Sequence, residues 1–124
     1  MTLIDTSSWI HFLRRQGDPK VKDRVRRLLE SGEACLCPLV EVELWMGAGS
    51  DKDQRDVSSL GQKLPMLDID QAVWAEANRL SQMCRQSGTP VPSSDVTIAA
   101  CAFIHGAEIE CVDSHFSMLN RHRA

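Results

Sequence analysis

Thr2-Leu3-Ile4-Asp5-Thr6-Ser7-Ser8 decides the fold. Three strand-forming residues run into an acid, and three hydroxyl residues follow that can cap a helix reaching about Arg15. A strand passing straight into a helix is the opening of an α/β chain, and the alternation continues outward from it. Asp18-Pro19 starts a second helix, with Val21, Val25, Leu28 and Leu29 on one face and Gly32 as its stop. Ala34 to Cys37 reads as a short strand ending at Pro38, and Leu39 to about Ala48 as a third helix. Ser50 to Lys63 is a polar helix, Pro65 breaks it, and Met66-Leu67 forms a further short strand. Asp70 caps a long helix that aligns Val73, Ala77, Leu80 and Cys84 and stops at Gly88. Ser93 or Ser94 caps the nearly all-apolar helix Val96 to Ile104, Gly106 ends it, Ala107 to Val112 is the last strand and Ser114 to Arg121 the last helix. The pattern predicts an α/β fold with a central parallel β-sheet flanked by α-helices, in a single domain over residues 1–124.

Composition narrows the function classes. With 43% hydrophobic and 25% charged residues the chain is globular. It has no apolar run of membrane-spanning length, and its start lacks the basic and apolar regions of a signal peptide. Five cysteines, an odd number, read as reduced core thiols of a cytoplasmic protein. A net charge of −3 excludes nucleic-acid binding through bulk basicity. It leaves room for a local patch: residues 14–27 hold seven cations against two acids, a local net of +5. Within that stretch Arg24, Arg26 and Arg27 are candidates to track an RNA backbone, against the plainer reading of a solvated helix face.

Four acids stand apart from the core pattern. Asp5 closes the first strand and Asp113 the last; in a parallel sheet both would project from one edge, where ligands bind. On a helical wheel begun at Pro38, Glu43 falls at about 140°, between Leu39, Val42 and Met46 on one side and Val40, Leu44 and Gly47 on the other, whereas Glu41 lies outside this arc. A carboxylate centred on an apolar face needs a buried partner or a cation. Asp95 opens the apolar helix, where Ser93 and Ser94 are already available as caps. Two carboxylates about 5 Å apart repel by about 3 kcal/mol at an effective dielectric near 20, so four in one pocket call for a hard, oxygen-preferring cation, Mg²⁺ or Mn²⁺. Such a centre suits phosphodiester hydrolysis by metal-activated water.

These stretches resemble a known family. Leu3-Ile4-Asp5-Thr6-Ser7, Glu43-Leu44-Trp45-Met46-Gly47-Ala48, Asp95-Val96-Thr97-Ile98-Ala99-Ala100 and Val112-Asp113-Ser114-His115-Phe116, in this order and spacing, are similar to PIN-domain ribonucleases, most specifically VapC-type toxins of bacterial toxin–antitoxin pairs. The resemblance implies a PIN-like fold and a Mg²⁺- or Mn²⁺-dependent endoribonuclease. In it Asp5, Glu43, Asp95 and Asp113 form the acidic quartet, Asp5, Asp95 and Asp113 hold the metal, and Thr6 lies beside them. It also implies a cognate antitoxin and a homodimer. Two departures stand out: Cys111 replaces the hydroxyl residue frequent before the last Asp, and His115 stands where a further Asp is frequent, at the rim of the site. Trp45 lies off the apolar arc, at a position suited to an interface.

Other readings fit less well. A haloacid-dehalogenase-type phosphatase wants a second Asp at Ser7. A phospho-receiver wants paired early acids and a late Lys, and no Lys follows Lys63. A catalytically silent PIN-like scaffold would have lost acids that are all present here.

Overall fold

A computed structural model of the chain describes residues 1–112 and 114–124. The sheet has three short strands in the order β2-β1-β3: β1 (Thr2–Ile4) at the centre, β2 (Ala34–Cys35) and β3 (Glu108–Glu110) at its sides. Both pairings are parallel, with Leu3 opposite Cys35 on one side and Ile109 on the other. Leu36 adds a parallel bridge to Met66, so the expected Met66-Leu67 strand is reduced to a single bridge. The chain leaves β1 toward one edge and later returns across it to β3. Such a reversal opens a crevice at the carboxyl ends of the strands, between β1 and β3.

Seven helices surround the sheet among the described residues: α1 (Thr6–Leu13), α2 (Pro19–Glu30), α3 (Pro38–Met46), α4 (Asp51–Lys63), α5 (Gln71–Ser87), α6 (Ser93–Ile104) and α7 (His115–Arg121). Most ends follow the local chemistry. Asp18, Ser50 and Asp70 accept backbone N–H groups at the starts of α2, α4 and α5. Gly88 closes α5 at φ 69°, a left-handed conformation in which glycine carries no Cβ penalty. Two ends differ from expectation. Asp5, rather than the hydroxyls after it, caps α1. No side chain caps α6, which starts at Ser93 behind Pro92, so Asp95 is a first-turn acid.

The core lies where α6 passes over the sheet. Leu3, Ile4, Trp9, Ile98, Ala99, Cys101, Phe116 and Leu119 are fully buried. Run 96–102 is buried at every position, and its alanines let neighbouring elements approach. α3 departs from the expected pattern. Val40 and Leu44 are buried, but Val42, Trp45 and Met46 are exposed. The helix is apolar on two faces, and only one is covered. Glu43 therefore stands at the border of the buried face rather than at its centre.

Ile98→Ala should remove about 2–5 kcal/mol of stability, the cost of a cavity in a fully packed site. Met46→Ala should stay within about 0.5 kcal/mol, because its side chain is already in water. Urea unfolding of the two variants checks both expectations, and equal losses would contradict this placement of the core.

Candidate active site

β1 ends at Ile4, and Asp5 turns the chain into α1 while its backbone N–H still donates to Glu110 O at 2.8 Å. This places a carboxylate at the switch between β1 and β3, only 5% exposed. Oδ2 of Asp5 accepts two bonds from Ser7, one from the hydroxyl at 2.6 Å and one from the backbone N–H at 3.2 Å. Burial raises the proton affinity of Asp5; the Ser7 bonds oppose this, and the charge of Asp95 adds to it.

Glu43 comes from α3. The hydroxyl of Thr6 donates to its Oε1 at 2.8 Å, so the adjacent hydroxyls of Thr6 and Ser7 hold Glu43 and Asp5. Burial also raises the proton affinity of Glu43, with smaller upward contributions from the charges of Asp5 and Asp95. Asp95 comes from the first turn of α6, and its Oδ2 accepts from His115 Nδ1 at 2.8 Å. Asp5, Glu43 and Asp95, drawn from three elements, therefore lie near enough for Asp95 to act on Asp5, and both on Glu43, as like charges. Asp113 lies outside the described residues, so its expected place at the end of the last strand is not part of this geometry.

All of these acids present oxygen, the donor that hard divalent cations prefer. Among the described residues no three His, Cys, Asp or Glu side chains converge closely enough to hold a metal ion jointly. The arrangement explains the spacing: each carboxylate rests on its own donor, Ser7, Thr6 or His115, which holds mutually repelling groups apart. Burial makes Asp5 and Glu43 costlier to ionise, and a nearby cation would lower that cost. Asp5, Asp95 and Glu43 are the described carboxylates that could meet such a cation.

Two features of the neighbourhood have weak signals in the sequence. Glu110, on β3, accepts the Ser8 hydroxyl at 2.7 Å and the Arg24 Nε at 2.7 Å. No local pattern pairs residue 24 with residue 110. Arg24 is thus engaged at the sheet edge, and Arg26 and Arg27 both approach Asp23 at 3.8 and 2.9 Å. Arg14, by contrast, lines a cleft of about 130 Å³ together with Glu43, Ile10, Leu13, Gly47 and Asp53. Of the basic stretch it is the residue whose cleft also holds one of the acids. Cys37 is not a strand thiol: it occupies the N-cap position of α3, buried against Cys101.

The chain is similar to known proteins in both sequence and fold. The chain is 34% identical to the ribonuclease VapC11 of Mycobacterium tuberculosis over 125 aligned positions, covering 98% of this chain and 92% of that one. In structure it is similar to FitAcB from Neisseria gonorrhoeae, with a TM-score of 0.80, 21% identity and coverage of 98% and 94%. It is also similar to a toxin–antitoxin complex from Klebsiella pneumoniae, with a TM-score of 0.73, 20% identity and coverage of 93% and 88%. Residues 2–120 match the PIN domain. An acid at the β1/β3 switch, further acids brought to it by α3 and α6, and this match over nearly the whole chain lead to one conclusion: the chain belongs to the PIN domain family.

Proposed function

We propose that the chain is a metal-dependent endoribonuclease, the toxin of a toxin–antitoxin pair, hydrolysing RNA phosphodiester bonds. The observation that carries this reading is the group of Asp5, Glu43 and Asp95, each on a separate element, in which Asp95 raises the cost of ionising Asp5 and both raise that of Glu43. Its kinship with ribonuclease VapC11 supports RNA as the substrate. Asp5, Asp95 and, from the resemblance, Asp113 are the residues to hold Mg²⁺ or Mn²⁺. When bound there, such a cation supplies Lewis-acid polarisation of the phosphate and a lowered pKa for water.

The chain's own residues have distinct tasks. Asp5 is fixed through Oδ2 by Ser7, which keeps its carboxylate plane constant. Glu43 binds a proton more readily than an ordinary carboxylate, and Thr6 occupies its Oε1. Its other oxygen, Oε2, is then the acceptor for a proton leaving the attacking water. His115 holds Asp95 through Oδ2. Arg14, on the wall of the Glu43 cleft, is placed to meet an RNA phosphate. Arg26 and Arg27, half or more exposed on α2, extend that basic track, while Arg24 serves the sheet edge. The uncovered face of α3, with Val42, Trp45 and Met46, is the surface for a protein partner, whether antitoxin or second copy.

Three outcomes test this reading. Asp5→Asn should lower Mg²⁺-dependent cleavage of total RNA by at least about 100-fold, beyond the loss typical of a residue outside the ligand set. Its far-UV circular dichroism should match wild type; equal cleavage by both proteins would overturn the role of Asp5, and no cleavage by either would return the chain to the silent-scaffold reading.

The raised proton affinities give a second outcome. Between the ordinary carboxylate range and the raised values of Asp5 and Glu43, the folded chain holds more protons than the unfolded one. The contribution of these groups to stability therefore falls as pH rises through that window. In the metal-free protein this loss should be smaller in Asp5→Asn than in wild type. Mn²⁺ at 100 times its Kd should restore about 2.7 kcal/mol to wild type at neutral pH. Melting curves with and without the ion read both effects.

Third, Trp45→Ala combined with Met46→Asp should weaken self-association in sedimentation velocity, or antitoxin capture, and leave the melting temperature nearly unchanged. Unaltered association in both assays would remove α3 from the interface.

A further inference from the structure

The hydroxyl of Ser7 stands between two parts of the site that the sheet alone does not join. The β1/β3 ladder ends with Asp5 N–H donating to Glu110 O at 2.8 Å. Beyond that point β1 has become helix α1, and its backbone groups turn away into helical bonds. The N–H of Val112 nevertheless donates to Ser7 Oγ at 3.2 Å, while Ser7 Oγ itself donates to Asp5 Oδ2 at 2.6 Å. A hydroxyl has one proton and two acceptor lone pairs, so one oxygen can serve both bonds at once. The 2.6 Å separation is that of a charge-assisted O–H···O⁻ bond. Val112 is followed in sequence by Asp113.

Resting on the metal-dependent reading above, we propose that Ser7 is a positioning residue that ties the Asp5 carboxylate to the backbone one residue before Asp113. A single hydroxyl then sets both the plane of the Asp5 carboxylate and the position of the Val112 N–H. It does the work of one more rung of the ladder at the place where a helix makes a backbone rung impossible. Removing the oxygen unpairs the Val112 N–H and leaves Asp5 Oδ2 with the backbone N–H of Ser7 alone. Threonine keeps the oxygen at the same position and should keep the function.

The test compares wild type, Ser7→Ala and Ser7→Thr with Mn²⁺ as the probe. Calorimetric titration should show Mn²⁺ binding about 10–100-fold weaker in Ser7→Ala, the range for residues that orient metal ligands. Ser7→Thr should return to within about threefold of wild type. Hydrogen exchange should show the Val112 amide less protected in Ser7→Ala and protected in Ser7→Thr, with the amides of α6 unchanged in both. Circular dichroism of the metal-free proteins confirms that all three are folded; if Ser7→Ala is not, Ser7→Cys takes its place and should bind Mn²⁺ as weakly.

Wild-type Mn²⁺ affinity in the variant lacking the hydroxyl would overturn the positioning role while leaving the metal reading intact. So would weakened binding with Val112 protection unchanged, since the tether would not be its cause. Absence of any Mn²⁺ binding to wild type would overturn the metal reading and this inference with it. Binding without RNA cleavage would overturn only the proposed activity.

Discussion

Crowded carboxylates govern the construction of this protein. Asp5 is almost wholly buried, and Glu43 and Asp95 bring further negative charge to the same cleft. Like charges with little water between them cost free energy, and folding alone does not remove that cost. The structure contains it with short donors, one to each acid: Ser7, Thr6 and His115. Two of the three donors directly follow Asp5 in the chain. The first turn of α1 thus holds both Asp5 and the Glu43 that α3 brings to it, while His115 at the start of α7 holds Asp95.

The sheet makes this arrangement possible with very little material. Among the described residues no strand exceeds three residues, and the central one is paired on both sides. Such a sheet would not stand alone; its order comes from α6, which is buried along residues 96–102, and from α5 packed against it. That dependence suits the site, because the helix that completes the core also delivers Asp95 at its first turn. Packing and chemistry are set by the same element, and the uncapped start of α6 leaves its acid for the cleft instead of for its own backbone.

Much of this was legible in the residues. The alternation of short apolar runs with capped helical stretches leads to the parallel sheet, because glycine and proline punctuate it at Gly32, Pro65, Gly88 and Gly106. Asp5 and Asp95 stood out because each was an acid at an element boundary. Glu43 is only half legible in the residues. The wheel placed Val42 and Met46 on the buried side, whereas both are exposed, since a helical wheel shows which residues share a face but not which face is covered. Ser7 and Glu110 were not picked out. Their partners lie 105 and 86 residues away, and a polar residue at a strand end carries no mark of what it will meet across the fold. The same limit applies to Arg24, one of several equal cations in sequence but the partner of Glu110 in space.

α3 carries Glu43 toward the cleft and turns Val42, Trp45 and Met46 toward solvent. One rigid helix of nine residues therefore belongs to two surfaces. A macromolecule seated on the outer face that favours one tilt of α3 also favours one position of the Glu43 carboxylate. Free-energy coupling of this kind is reciprocal: whatever factor the visitor applies to occupancy of the acid cleft, occupancy of the cleft applies to the visitor. An ion held at the acids and a partner on the outer face of α3 would then be linked through this one helix.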